Sequence, residues 1–132
     1  MKKIIDCVTF FDNNYIFDFR YNVIKDYVDK FIVCESLFDH KNNPKKINFD
    51  PDNKYINNSK IIHIILKDPF PDNIDSWQKQ AIQREFILKH LNFTNDEDLI
   101  FFSDPDEIPN PKLLENFTLK KKYGIFLQKF YN

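Results

Sequence analysis

The sequence predicts an α/β fold: a mostly parallel sheet flanked by helices. Three observations predict it. Short apolar, β-branched runs alternate with segments whose apolar residues recur at helical spacing. The polar residues richest in chemistry fall just after those runs, where the strands of a parallel sheet end. The length, 132 residues, suffices for one hydrophobic core and not for two, so residues 1–132 are read as a single short domain.

Residues 3–11 form a β-branched and aromatic run suited to a strand buried on both faces. From Asn14 onward, Ile16, Phe19, Val23, Ile24, Tyr27 and Val28 recur at spacings of three and four, which predicts an amphipathic helix to about Asp29. Residues 30–35 give the second strand. Residues 36–60 are polar, with Pro44, Pro51 and repeated Asn and Asp, and predict a long irregular excursion over the surface. The third strand occupies residues 60–66, and Asp68-Pro69-Phe70-Pro71-Asp72 enforces extended or turn geometry after it. Asp75 or Ser76 caps the next helix, with Gln78 as the reciprocal partner of Asp75. Trp77, Ala81, Ile82, Phe86, Leu88 and Leu91 are read as its apolar side, Phe86 toward an edge, and Trp77 as core in preference to a sugar platform. A fourth strand over 98–102, a helical turn over 111–116 and a fifth strand over 124–131 complete a Rossmann-like alternation with right-handed crossovers.

Composition narrows the functional classes. The formal charge is -1, so no global field favours nucleic acid or an anionic membrane. No apolar run reaches bilayer length, and Asp6 interrupts the stretch where a signal peptide would be apolar. A soluble, cytoplasmic chain without a membrane span is therefore expected. Cys7 and Cys34 each sit in an apolar run without a ligand-spaced partner and are read as buried free thiols. Three glycosylation acceptor patterns, beginning at Asn57, Asn92 and Asn116, are read as products of an Asn-rich composition. There is no Gly-rich phosphate loop, no nucleophile on a tight Gly-flanked turn, and no ligand spacing among His40, His63 and His90.

The strand ends supply the candidates. Thr9 and Asp12 follow the first strand, Glu35 and Ser36 the second, Lys67 and Asp68 the third, and Asp104, Asp106 and Glu107 the fourth. An Asp-x-Asp pair suits a hard divalent cation, because two carboxylates hold it and leave positions for water and phosphate oxygens. The same pattern recurs at Asp50-Pro51-Asp52 and Asp96-Glu97-Asp98, so spacing alone leaves a metal site and a capped turn both open at Asp104-Pro105-Asp106. Arg84 is read first as a surface ion-pair partner, with a phosphate contact as the alternative. Glu35 either accepts hydrogen bonds from a ribose or base or closes a strand edge.

Taken in order, four segments resemble glycosyltransferase family 17. They are Ile5-Asp6-Cys7-Val8-Thr9-Phe10-Phe11; Val28-Asp29-Lys30-Phe31-Ile32-Val33-Cys34-Glu35-Ser36; Trp77 with Gln83-Arg84; and Leu99-Ile100-Phe101-Phe102-Ser103-Asp104-Pro105-Asp106-Glu107-Ile108-Pro109. The resemblance implies a GT-A-like fold, a UDP-sugar donor such as UDP-N-acetylglucosamine, a glycan acceptor, a manganese or magnesium ion, and inversion at the anomeric carbon. It implies Asp104 and Asp106 as metal ligands, with Asp104 also meeting the diphosphate. By analogy with GT-A folds, Thr9, Phe11 and Glu35 line the uridine pocket and Arg84 meets phosphate. Asp12-Asn13 stands where the family shows Asn-Glu, and family members run beyond this length. A nucleotide-sugar or glycan-binding module without turnover is the alternative, and a homo-oligomer is left open.

Overall fold

The apolar runs form strands and the spaced runs form helices in a computed structural model of the chain, which describes residues 2–115. In order these are β1 (Ile4–Phe10), α1 (Asn14–Ile24), β2 (Lys30–Ser36), β3 (Ile61–Leu66), α2 (Ser76–Leu88), β4 (Leu99–Ser103) and a single turn, α3 (Pro111–Leu114). The expected fifth strand lies outside the described residues. All four strands are parallel, in the order β3-β2-β1-β4. The fold is thus α/β and Rossmann-like.

That order positions everything else. The chain steps outward from β1 to β3, then crosses back to lie on the other side of β1. If crossovers keep one hand, the helix of the outward step and the helix of the return must cover opposite faces. They do so here. Side chains alternate along a strand, and Ile5, Cys7, Ile32, Cys34 and Ile64 pack under Ile87 and Leu91 at the α2 end. On the other face Ile4, Phe31 and Leu99 meet Ile24 of α1, while Val8, Phe10 and Val33 meet Phe17.

The excursion between β2 and β3 adds to the α1 face. Phe49 and Tyr55 insert their rings against Phe17, with centroids 5.0 and 5.5 Å away. Its sharp bends use positive φ at Asn42, Asp50 and Asn53 (65°, 53° and 55°), which Asn and Asp tolerate better than most residues. A chain with one glycine can fold this loop for that reason.

Both helices differ from the sequence expectation. α1 stops at Ile24 rather than near Asp29: the Tyr27 N–H donates to the Ile24 carbonyl (3.0 Å), and the Asp29 carboxylate takes the Ile4 N–H (2.8 Å). Residues 25–29 turn the chain into β2, so Val28 is buried from a turn. The buried face of α1 is Phe17, Arg20 and Ile24, whereas Phe19 is 62% exposed. A reading by hydrophobicity rotates this helix because it places Arg20 outside. In α2 the capping box at Asp75 and Gln78 forms as expected. Its buried residues are Gln83 and Ile87, and Trp77 is 78% exposed, not core. Ala81 and Leu88 also face solvent. The cause is again a polar residue on the inner face, Gln83, which shifts the stripe away from them.

Cys7 and Cys34 are free and buried, as expected. Burial pushes the Cys34 thiol up to about 12 and the Cys7 thiol higher still, so neither is a ready nucleophile. No helix among the described residues is long and apolar enough to cross a membrane.

Candidate functional site

The return of the chain past β1 makes a switch point between β1 and β4. In open parallel sheets the crevice beyond the strand ends at such a point is the usual ligand site. Thr9 and Phe11 leave β1 there, Ser36 closes β2, and the register pairs Val8 with Ser103, so the acidic turn after β4 starts beside the end of β1. A cavity of about 550 Å³ opens at the ends of β1 and β2, between the first part of the excursion and α2. Thr9, Phe11, Ser36, His40, Lys45 and Gln83 are among the residues that line it.

Its wall is cross-braced. His40 Nε2 lies 3.3 Å from Gln83 Oε1, and Lys79 Nζ donates to the His40 carbonyl, so α2 is tied to the excursion. Lys45 Nζ sits 2.7 Å from Glu35 Oε2 and 5.7 Å from the Phe11 ring centroid, a cation beside the exposed aromatic of the cavity.

Glu35 itself faces inward. It is fully buried, and its two oxygens accept from Lys45 Nζ (2.7 Å), the Asn48 N–H (2.6 Å), the Phe49 N–H (3.2 Å) and His63 Nε2 (3.2 Å). Burial alone would raise its carboxyl, but the bonds from His63, Lys45 and the Asn48 amide outweigh it and hold it below its ordinary value. Glu35 thus fastens the excursion to the sheet, and it is not among the residues lining the cavity. The sequence left a ribose or base contact and a strand-edge role open for Glu35; the structure places it on β2, between β1 and β3, with both oxygens bonded within the protein.

The acidic turn is closed on itself and anchored from below. The Asp104 N–H donates to Glu107 Oε1 and the Glu107 N–H to the Asp104 carbonyl, each at 2.9 Å. Beneath it the guanidinium of Arg20, at 0% exposure, grips Asp6 with two bonds of 2.6 and 2.8 Å. It also donates to Ser103 Oγ at 2.7 Å and to the carbonyls of Asp104 and Glu107 at 3.2 and 2.8 Å. The carboxylates of Asp104 and Asp106 accept no hydrogen bond from another described residue and lie on exposed residues. Burial, with Glu107 and Asp106 nearby, raises the Asp104 carboxyl above its ordinary value, and Arg84 pulls the other way. Arg84 therefore stands close enough to feel the turn, although it does not line the cavity.

The expected residues separate into three groups. Thr9 and Phe11 share the cavity; Asp104 and Asp106 stand at the neighbouring strand end with Arg84 acting on Asp104; Glu35 is turned inward. No group of three or more His, Cys, Asp or Glu side chains among the described residues is placed to hold a metal. A divalent ion at this turn would have Asp104 and Asp106 as carboxylate ligands, and phosphate and water oxygens would have to complete the shell. That donor set fits manganese or magnesium, which keep several non-protein ligands. The sequence reading missed Asp6 and Arg20, yet one signal was available: an acid inside a strand buried on both faces requires a buried partner.

The chain is similar to the curated β-1,4-mannosyl-glycoprotein 4-β-N-acetylglucosaminyltransferases of Rattus norvegicus and Homo sapiens, each 27% identical over 119 residues. Each match covers 82% of this chain and 22% of the relative, so the chain spans about a fifth of the length of the relatives it matches. No solved structure gives a significant match. The family model described as glycosyltransferase family 17 matches residues 1–127, nearly the full length and with the strand ends above inside it, and the chain belongs to that family.

Proposed function

We propose that this chain is the donor-binding part of a GT-A-like glycosyltransferase that transfers a sugar from a UDP-sugar to a glycan hydroxyl with inversion. The relatives' names point to N-acetylglucosamine as that sugar. One observation carries the reading: the cavity at Thr9 and Phe11 and the paired carboxylates of Asp104 and Asp106 emerge from adjacent parallel strands at the switch point.

The residues divide the work as follows. The Thr9 hydroxyl and the Phe11 ring would hold the nucleoside, with Lys45 adding positive charge beside the ring. Asp104 and Asp106 would hold a manganese or magnesium ion, which when bound supplies charge to stabilise the departing diphosphate. Arg84 would add a guanidinium to the same oxygens. Displacement then requires only that the acceptor hydroxyl lose its proton to a carboxylate base as it attacks.

Calorimetric titration with UDP-N-acetylglucosamine, with and without manganese, tests this. Binding that strengthens at least tenfold with the ion, and loses that gain in Asp104→Asn or Asp106→Asn, is the expected result. Heat that does not depend on the ion would sink it. The span of about a fifth of the relatives' length favours one second reading, nucleotide-sugar binding without transfer. UDP release that depends on an added glycan acceptor separates the two.

A further inference from the structure

Arg20 is the largest fully buried side chain described, and a guanidinium in that position needs more than a counter-ion. Asp6 alone would neutralise it through the two-bond fork seen here. Two Arg20 nitrogens nevertheless reach further. Nη2 also donates to Ser103 Oγ, and Nη1 gives its protons to the carbonyls of Asp104 (3.2 Å) and Glu107 (2.8 Å), with Pro105 at 3.5 Å. All five donors of the side chain are thereby used, and those that a neutralised pair could have spared are spent on one turn. Asp6 lies in mid-strand on β1, Arg20 on α1 and the turn after β4, so a single planar group joins three elements at the switch point.

We propose that Arg20, oriented by Asp6, is the positioning residue of the acidic turn. It fixes the turn's carbonyls inward, so that the carboxylates of Asp104 and Asp106 are presented together to a divalent cation. The inference rests on the reading of that pair as a metal site. It assigns Arg20 no contact with ion or sugar. Lysine cannot substitute, because a point ammonium with three donors lacks the planar fork that serves Asp6 and the turn together.

Two measurements on the 132-residue chain decide it. Amide hydrogen exchange without metal reads the turn directly. Arg20→Lys should speed exchange at the Asp104 and Glu107 amides about tenfold more than at amides in the centre of β2. Manganese uptake in the presence of UDP, followed by electron paramagnetic resonance, should weaken roughly 10- to 100-fold, the usual loss when an outer partner of a metal site is removed. Ile87→Ala, on the opposite face, is the control: its melting temperature should fall with manganese uptake unchanged. Unchanged exchange in the turn of a folded Arg20→Lys, or an equal loss of manganese in Ile87→Ala, would overturn the proposal. If Arg20→Lys does not fold, Ser103→Ala removes one bond of the same guanidinium and is read by the same two measurements. A wild-type chain that takes up no manganese would sink the metal reading alone, and the exchange result would still decide the tether.

Discussion

Two loops leave this sheet from the strands on either side of β1, after β2 and after β4, and a buried carboxylate on the α1 face holds each of them. Glu35 gathers the excursion after β2 directly, taking the amides of Asn48 and Phe49 and the ammonium of Lys45. The side chain of Asp6 does not bond the turn after β4 itself; it holds Arg20, and Arg20 collects that turn's carbonyls. The difference is one of sign. A carboxylate only accepts, so the loop it holds must bring donors toward it, here two backbone N–H groups and a lysine. A guanidinium collects only acceptors, so the loop it holds can be acidic and still point its carboxylates outward. An acidic turn at the end of a strand thus calls for a cationic anchor beneath it, and here that cation needs an acid of its own.

The largest test of this contrast is Asp6→Ala. Arg20 would remain buried without its counter-charge, and the stability measured by urea unfolding should fall by about 3–5 kcal/mol. Pairing Asp6→Leu with Arg20→Met should recover most of that loss, since apolar replacement of a buried pair is often neutral or better. A single-variant cost below about 1 kcal/mol would mean that the pair anchors nothing. Glu35→Gln should cost less, about 2 kcal/mol at neutral pH, because the amide's one oxygen still accepts from one of the two backbone N–H groups, which reach different oxygens of Glu35. Its pH dependence has a definite sign. A carboxyl held below its ordinary value contributes stability that is present above about pH 4.3 and is lost as pH falls through the lowered folded value. The gap between wild type and Glu35→Gln should therefore be widest at neutral pH and narrow in acid. Urea midpoints over a pH series that show a constant gap would remove Glu35 from its anchoring role.

This pair of anchors also marks where the sequence was readable. The four strands, the parallel architecture and the Asp75–Gln78 capping box all come from apolar runs and local chemistry, which a sequence displays directly. The gathering of Thr9, Phe11 and the Asp104 turn at one sheet end was legible for the same reason. Arg20 was not, because patterning sends a charged residue outward and only three-dimensional pairing with Asp6 brings it in. Phe19 and Trp77 were lost with it: once Arg20 and Gln83 occupy inner faces, each helix turns and exposes an aromatic that hydropathy would bury. The inward turn of Glu35 was hidden too, since its partners Asn48 and His63 lie on segments that the chain order separates from it.

Asp104→Asn gives the smallest change in stability and the sharpest sign. Burial and the nearby carboxylates hold the Asp104 carboxyl above its ordinary value, so the folded state binds the proton more tightly than the unfolded one. Stability is then lost as pH rises from about 3.9 through the raised folded value, and the penalty persists at neutral pH. Asparagine carries no such penalty. Without added ion, Asp104→Asn should match wild type in acid and exceed it at pH 7 by no more than about 0.5 kcal/mol, solvent screening included. Manganese with UDP should reverse the order, because a ligand that binds only the folded wild type stabilises it by mass action and leaves the variant where it was. A variant less stable than wild type at pH 7 without the ion would mean that Arg84 already satisfies Asp104. The acidic turn would then be a closed ion pair, with no open carboxylate for its cationic anchor to present.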